Sequence, residues 1–435
     1  MSTHALNSSS GNPVVPVELL EHIIDYLRGE CQTLLNCALT HRTLYPRAKT
    51  VLYITIHIRS RKAYNAIRRL RLNKMAHSIF ANTEEFVLEE HPEAWRTDPS
   101  HHFVHDMLPT FAGFPLPKLH CLVLRGFHRG LVWRDSPLTA LLLTQTFSSV
   151  RTLVLHNQPF STLLDVVRFV CALPQLQELE LHATSLIMTG TSSLTATNPA
   201  TGGRLRLRRF QLSGLDGLEA ASVLDWLART PTVQAPTMRV LRAAVWPRDR
   251  DSVYSSLSNI LKQLGSSLTD LDVELRQHSV TIPVLTYTTG LETLSLRIVV
   301  LNLAEMPWTL TGSDCNNVIL PTLTSLEAPR LRTLYFKFNL IYNLLGGQDA
   351  EAYVARLDWT PLGGVIARKR LNSLQTVVIE VFVERLCLVE RRESALEVLK
   401  RIECAFESAV QQLPWQTRPV VKVIRHRERW EGGRR

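Results

Sequence analysis

Along most of the chain, apolar residues recur in the pattern apolar-x-x-apolar-x-apolar. The units are TEEFVL at 83, LHCLVL at 119, VRTLVL at 150, LQELEL at 176, LRRFQL at 207, MRVLRA at 238, LTDLDV at 268, LETLSL at 291, LRTLYF at 331 and LQTVVI at 374. They start 36, 31, 26, 31, 31, 30, 23, 40 and 43 residues apart. The last residues of each unit alternate apolar and other, the period-two signature of a strand with one buried face. Helical stripes lie between them: Leu163, Val166, Val167, Val170 and Leu173; Leu218, Ala221, Leu224 and Leu227; Val253, Leu257, Ile260, Leu261 and Leu264. One strand and one helix cannot bury their apolar faces alone, so the units must stack. The expectation is an α/β solenoid of irregular strand-helix repeats over residues 79–412, with a last strand and a basic tail at 413–435. A conventional doubly wound sheet has less support, because no Gly-rich loop follows any of these strands.

The N-terminal stretch has a different texture. Residues 1–12 are polar and read as a flexible tail. In PVVPVELLEHIIDYLR at 13–28, Pro16 suits a first helical turn, Glu18 and Glu21 complement the helix dipole, and Arg28 with Gly29 marks the end. Leu20, Ile23, Ile24 and Leu27 form a stripe that Leu19 widens. A second helical pattern runs through Leu34, Leu35, Ala38 and Leu39 and is expected to stop before Pro46. VLYITIHI at 51–58 alternates as a strand. Residues 59–78 form a basic linker helix with Arg59, Arg61, Lys62, Arg68, Arg69, Arg71 and Lys74, its apolar side carrying Ala63, Ile67 and Leu70.

Composition narrows the functional classes. No run reaches the length of apolar residues that a membrane helix needs, and the first residues do not read as a secretory signal. The 7 cysteines are scattered and never spaced C-x-x-C, which suggests neither a disulfide framework nor a zinc site and fits the cytosol or nucleus. The formal net charge of +10 is concentrated in the basic helix and in residues 418–435. It keeps open an alternative reading as a nucleic-acid-associated or general scaffolding repeat protein, although the strip of strand residues expected to face outward is mixed in sign. HHFVHD, with His101, His102, His105 and Asp106, lacks the fixed ligand constellation of a zinc site. MTGTSSLTATNPATGG at 188–203 lacks Lys and reads as a loop. With no P-loop, G-x-G-x-x-G, H-E-x-x-H or G-x-S-x-G, no cofactor, metal or catalytic residue is expected.

The repeats resemble leucine-rich repeats over roughly residues 83–381, departing from the family where Phe127, Gln158, Thr184 and Leu215 replace the usual Asn or Cys. The match in Val-Pro-Val-Glu-Leu-Leu-x-x-Ile-Ile-x-Tyr-Leu at 15–27, then Leu35-x-Cys37-Ala38-Leu39-Thr40-x-Arg42, then Ala48-x-x-Val51-Leu52-Tyr53 makes residues 13–58 resemble an F-box. Val15 and Leu44-Tyr45 stand where that family often has leucine and tryptophan. The resemblance implies a small helical module that docks on a Skp-family adaptor, and so on a cullin-based ubiquitin ligase, through Pro16, Leu19, Leu20, Ile23, Ile24, Leu27, Leu35 and Leu39. The repeats would then hold an unidentified target protein on a concave face. Strand alternation assigns Val154, Glu180, Gln211, Arg242, Asp272, Ser295 and Tyr335 to that face.

Overall fold

The computed structural model describes residues 15–70, 77, 80–90, 103, 110–111, 114, 116–126, 137–158, 160, 162–183, 205–229, 237–245, 250–276, 283–300, 313–341, 364–366, 371, 373–384, 395–411 and 420–425. It is an α/β arrangement of parallel strands with interleaved helices, divided into two compact units near residue 150. The tail at 1–12, the histidines of HHFVHD, the loop at 188–203 and the basic end at 426–435 lie outside the described residues.

The first unit opens with three helices, α1 (Val17–Tyr26), α2 (Cys31–Thr40) and α3 (Tyr45–Leu52). Pro46 therefore starts a third helix instead of merely ending the second. It sits in the first turn, where its missing N–H and fixed φ cost nothing. The strand expected over 51–58 shortens to β1 (Thr55–Ile58), because Val51 and Leu52 belong to α3. The basic helix α4 (Arg61–Leu70) follows. Its buried contact is Tyr64, whose hydroxyl bonds that of Thr110 and whose ring stacks on Phe103 at 5.3 Å. The apolar side thus centres on Tyr64, and Leu70, assigned to it from spacing, is exposed. Strands β2 (Glu85–Glu89) and β3 (Cys121–Arg125) pair in parallel after β1, and α5 (Pro137–Thr146) completes this unit.

In the second unit the elements follow in the order β4 (Thr152–His156), α6 (Leu163–Cys171), β5 (Glu178–His182), β6 (Arg209–Leu215), α7 (Gly217–Arg229), β7 (Val240–Val245), α8 (Arg250–Leu264) and β8 (Asp270–Arg276). They continue with β9 (Thr293–Val300), α9 (Ser313–Thr324), β10 (Thr333–Ile341), β11 (Thr376–Glu384), α10 (Ala395–Gln411) and β12 (Val420–Arg425). Each strand pairs in parallel with the next in sequence. The register aligns the repeat leucines into rows: Leu153, Leu179, Phe210, Leu241, Leu271, Leu294, Leu334 and Val377 lie side by side, and all are buried. Two residues on, Leu155, Leu181, Leu212, Ala243, Val273, Leu296, Phe336 and Ile379 form a second buried row. Helices cover this side; Phe406 of α10 meets Phe338 of β10 at 5.3 Å. The stripe of α6 is buried as expected and its start is fixed by a capping box between Thr162 and Asp165. In α7, however, Leu218 is exposed, and Ala220, Val223 and Trp226 complete the buried side.

Strand ends in β3 to β6 share one backbone device. Gly126, Asn157 and Ala183, each just after its strand, and Gly214, at a register shift near the end of β6, all have positive φ. Ala183, at φ 46°, bears a Cβ in a region that disfavours one. A Cβ on Gly214 would meet the backbone of Ala183 at 3.2 Å, so glycine is needed there on two counts. Gln158, in one position where the repeat family has Asn, is fully buried and its Nε2 donates to the carbonyl of His156 at 3.2 Å.

Two substitutions test the register. Leu271→Ala should cost about 2–5 kcal/mol by leaving a cavity in a closed row. Arg242→Glu, on an exposed outward residue, should stay within about 0.5 kcal/mol. Equal losses of thermal stability would place Arg242 inside. Separately, Gly214→Ala should destabilise by about 1–2 kcal/mol, and denaturant melts of the full chain would measure it.

Candidate docking surfaces

The three-helix module closes on a small core of Ile24, Leu34, Ala48 and Val51, against which Leu27, Cys37, Ala38, Leu44, Leu52 and Ile54 pack. Gly29, with φ +98°, makes the turn out of α1. Arg47 on α3 grips the carboxylate of Asp25 on α1 with two charge-assisted bonds, Nε to Oδ1 at 2.7 Å and Nη2 to Oδ2 at 2.5 Å. The hydrogen bond from Arg47 holds the Asp25 carboxyl below its ordinary pKa. The module is tied to β2 within the same unit: Glu84 and Glu85 amides both donate to the carbonyl of Ile54, Thr83 Oγ1 donates to the carbonyl of Tyr53, and Arg28 meets Glu84 at 3.3 Å.

With the core closed from within, part of the apolar stripe of α1 is left outside. Leu19 and Ile23 are each 55% exposed and Tyr26 is 80% exposed, at helical spacing along one face. On α2, Leu39 is 85% exposed and Leu35 stands one turn before it. Of the adaptor residues implied by resemblance, Pro16, Leu19, Ile23, Leu35 and Leu39 are exposed, and Leu20 and Leu27 are half-buried. Ile24, at 2% exposure, belongs to the core of the module, so a contact role for it is corrected to a structural one. Val15, Val17, Tyr26 and Tyr45 are also exposed but were not singled out from spacing. Tyr26 falls on the i+7 position of the Leu19 stripe, which was the available signal.

On the outward side of the second unit, the register brings Val154, Glu180, Gln211, Arg242, Asp272, Ser295 and Tyr335 into one row, as alternation required. These residues differ in what they offer. Arg242 is exposed and only loosely held by Gln211 at 3.5 Å. Asp272 is ringed by cations: Lys337 Nζ reaches it at 2.9 Å and Arg297 at 3.7 Å. Lys337 lies on β10 and must cross β9, the strand that carries Ser295. Ser295 is accordingly only 4% exposed and its Oγ has no partner among the described residues, so its expected role as a direct contact is not available in this arrangement. Lys337 also sits 5.6 Å from the ring centroid of Tyr335. At the other end of the row, His182 joins Ser213 (Nδ1 to Oγ, 2.5 Å) and Glu180 (Nε2 to Oε2, 3.1 Å), and its ring lies 5.8 Å from that of His156.

Among the described residues, no group of three or more His, Cys, Asp or Glu could hold a metal ion, and no helix is long and apolar enough to cross a membrane. None of Cys31, Cys37, Cys121, Cys171 and Cys404 is in a disulfide. No protein-family model matches the chain, and no curated protein matches its sequence.

The Glu180 carboxyl is held below its ordinary value of 4.5, first by its hydrogen bond to His182 and then by the charges of His182, Arg209 and Arg242, against a desolvation that raises it. A depressed carboxylate contributes stability that is present above its unfolded pKa and is lost as pH falls through the folded one. Glu180→Gln should therefore weaken the acid sensitivity of the chain below about pH 4.5. Thermal melts of both proteins across that range read the difference, and parallel curves would remove the coupling.

Proposed function

We propose that the chain is the substrate-recognition subunit of a Skp-cullin-F-box type ubiquitin ligase. Its helical module docks on a Skp-family adaptor, and its strand-helix repeats, stacked as a leucine-rich-repeat-like solenoid, hold a target protein on the outward face of their strands. One observation carries the reading: the module buries its own core with Ile24, Leu34, Ala48 and Val51 and still presents Leu19, Ile23, Tyr26, Leu35 and Leu39 to water. Apolar side chains left out at regular spacing on two helices, beside a core that does not need them, mark a surface made for a partner. The strict parallel order of β4 to β12 supports the repeat reading, since a row of stacked units places every outward residue on one face. Tethering a target beside a ligase raises the effective concentration of its lysines at the conjugating enzyme, without chemistry on this chain.

The test is adaptor capture by the full-length chain. Leu19→Asp with Ile23→Asp should lower capture by about tenfold or more, because each puts a charge into an interface that must be dry. Both sites are exposed, so the melting temperature should hold. Ile24→Asp serves as the contrast, since it should unfold the module itself. Undiminished capture by the double variant would exclude α1 as the docking element.

A further inference from the structure

The position immediately after the first apolar residue of each repeat motif forms a row of its own, at the edge where the strands begin. Backbone hydrogen bonds link its members in turn: Gln177 N–H to the carbonyl of Arg151 at 2.8 Å, Arg208 to Gln177 at 2.6 Å, Arg239 to Arg208 at 2.9 Å, and Thr269 to Arg239 at 2.9 Å. Arg151, Arg208 and Arg239 are exposed, and Arg206 beside them is exposed as well. Strands lie about 4.8 Å apart, so Arg208 and Arg239 begin adjacent strands at a separation where like charges repel. None of Arg151, Arg206, Arg208 and Arg239 makes an ion pair or hydrogen bond through its side chain to a described residue. Two further arginines border them: Arg242 on the outward row, and Arg209, whose Nε is buried without a partner. Carboxylates lie within the patch and at its far side: Glu178 and Glu180 on β5, between the strands of Arg151 and Arg208, and Asp270 and Asp272 on β8, next to β7.

We propose that this arginine edge is a target-binding site that takes an acidic polypeptide segment, its side-chain carboxylates paired with Arg151, Arg208 and Arg239. The proposal rests on the reading of the second unit as the target-holding part, and it names the chemistry that part selects. Guanidinium forks match carboxylates bidentately, and unpaired exposed arginines carry no internal bond that must first be broken. From Arg151 to Arg239 is three strand steps, about 14 Å, the reach of roughly four residues of extended peptide. Nucleic acid fits less well. A longer phosphate backbone would run on into Asp270 and Asp272 of β8, and no Phe, Tyr or Trp stands at the outward positions of β4 to β7 for a base to stack on.

The test uses the full-length chain with three fluorescent probes: hexaglutamate, hexalysine and single-stranded oligothymidine. Anisotropy should show hexaglutamate binding at about 0.05 M salt, weakening as ionic strength rises, with hexalysine inert. Arg208→Glu with Arg239→Glu should lower hexaglutamate affinity about tenfold or more, while Arg68→Glu with Arg69→Glu on the basic helix should leave it unchanged. If the double reversal melts early, Arg151→Gln with Arg239→Gln replaces it and should still lower affinity. No hexaglutamate binding, equal binding by the edge variants, or loss through the α4 variant instead would overturn the proposal. Tighter binding of oligothymidine through the same arginines would overturn it in favour of nucleic acid. Adaptor capture by the unmodified chain is measured alongside: intact capture without hexaglutamate binding rejects the acidic-segment site alone, and capture that is absent, or undiminished in the Leu19 and Ile23 variant, with hexaglutamate binding intact rejects the ligase reading alone.

Discussion

Everything in the second unit depends on one constraint: a strand whose inner residues are Leu, Ile or Phe cannot be left without a neighbour on either side. Each inner row closes only because the next strand supplies the next leucine in register, at a distance set by the backbone ladder. Burying one such side chain contributes about 1.5–3 kcal/mol, and that contribution vanishes if the register slips by one residue, because the slip turns the whole strand over. The outward row is therefore as fixed as the inner one. Its members face outward because their neighbours must not.

The helical module obeys the same economy on a smaller scale. Four buried residues are few for three helices, and the Asp25–Arg47 pair supplies a directional clamp between α1 and α3 that the small core could not. Because the pair is about one-third exposed, it acts by geometry more than by charge. Holding α1 this way leaves one stripe, Ile24 with Leu20 and Leu27, turned inward and another, Leu19 with Ile23 and Tyr26, turned out.

Strand positions were legible because period two is unambiguous where one face is closed, and every motif quoted from the chain lies on or at the start of a strand of β2 to β11. The α1 stripe was legible in extent but not in direction. Leu19 and Ile24 look alike in a list of apolar residues, and only the packing of α3 decides which of them is inside. Pro46 misled for a related reason: the rule that a helix ends before proline is silent about whether another begins at it. Ser295 was placed correctly in the row, yet its cover comes from a lysine two residues along the neighbouring strand, a reach that alternation does not encode. The arginine edge was written in the motifs themselves, in the residue that follows each first apolar position, but its meaning depends on neighbours that only the register supplies.

The strand order has a consequence for how this chain is made. In β4 to β12 every partner of a strand is the one just before or just after it in sequence, so no strand waits for a distant segment. A nascent chain leaving the ribosome finds, at each step, the template for its next strand already emerged and paired. The molecule can grow during synthesis as a course of bricks is laid, each new strand added at the newest edge.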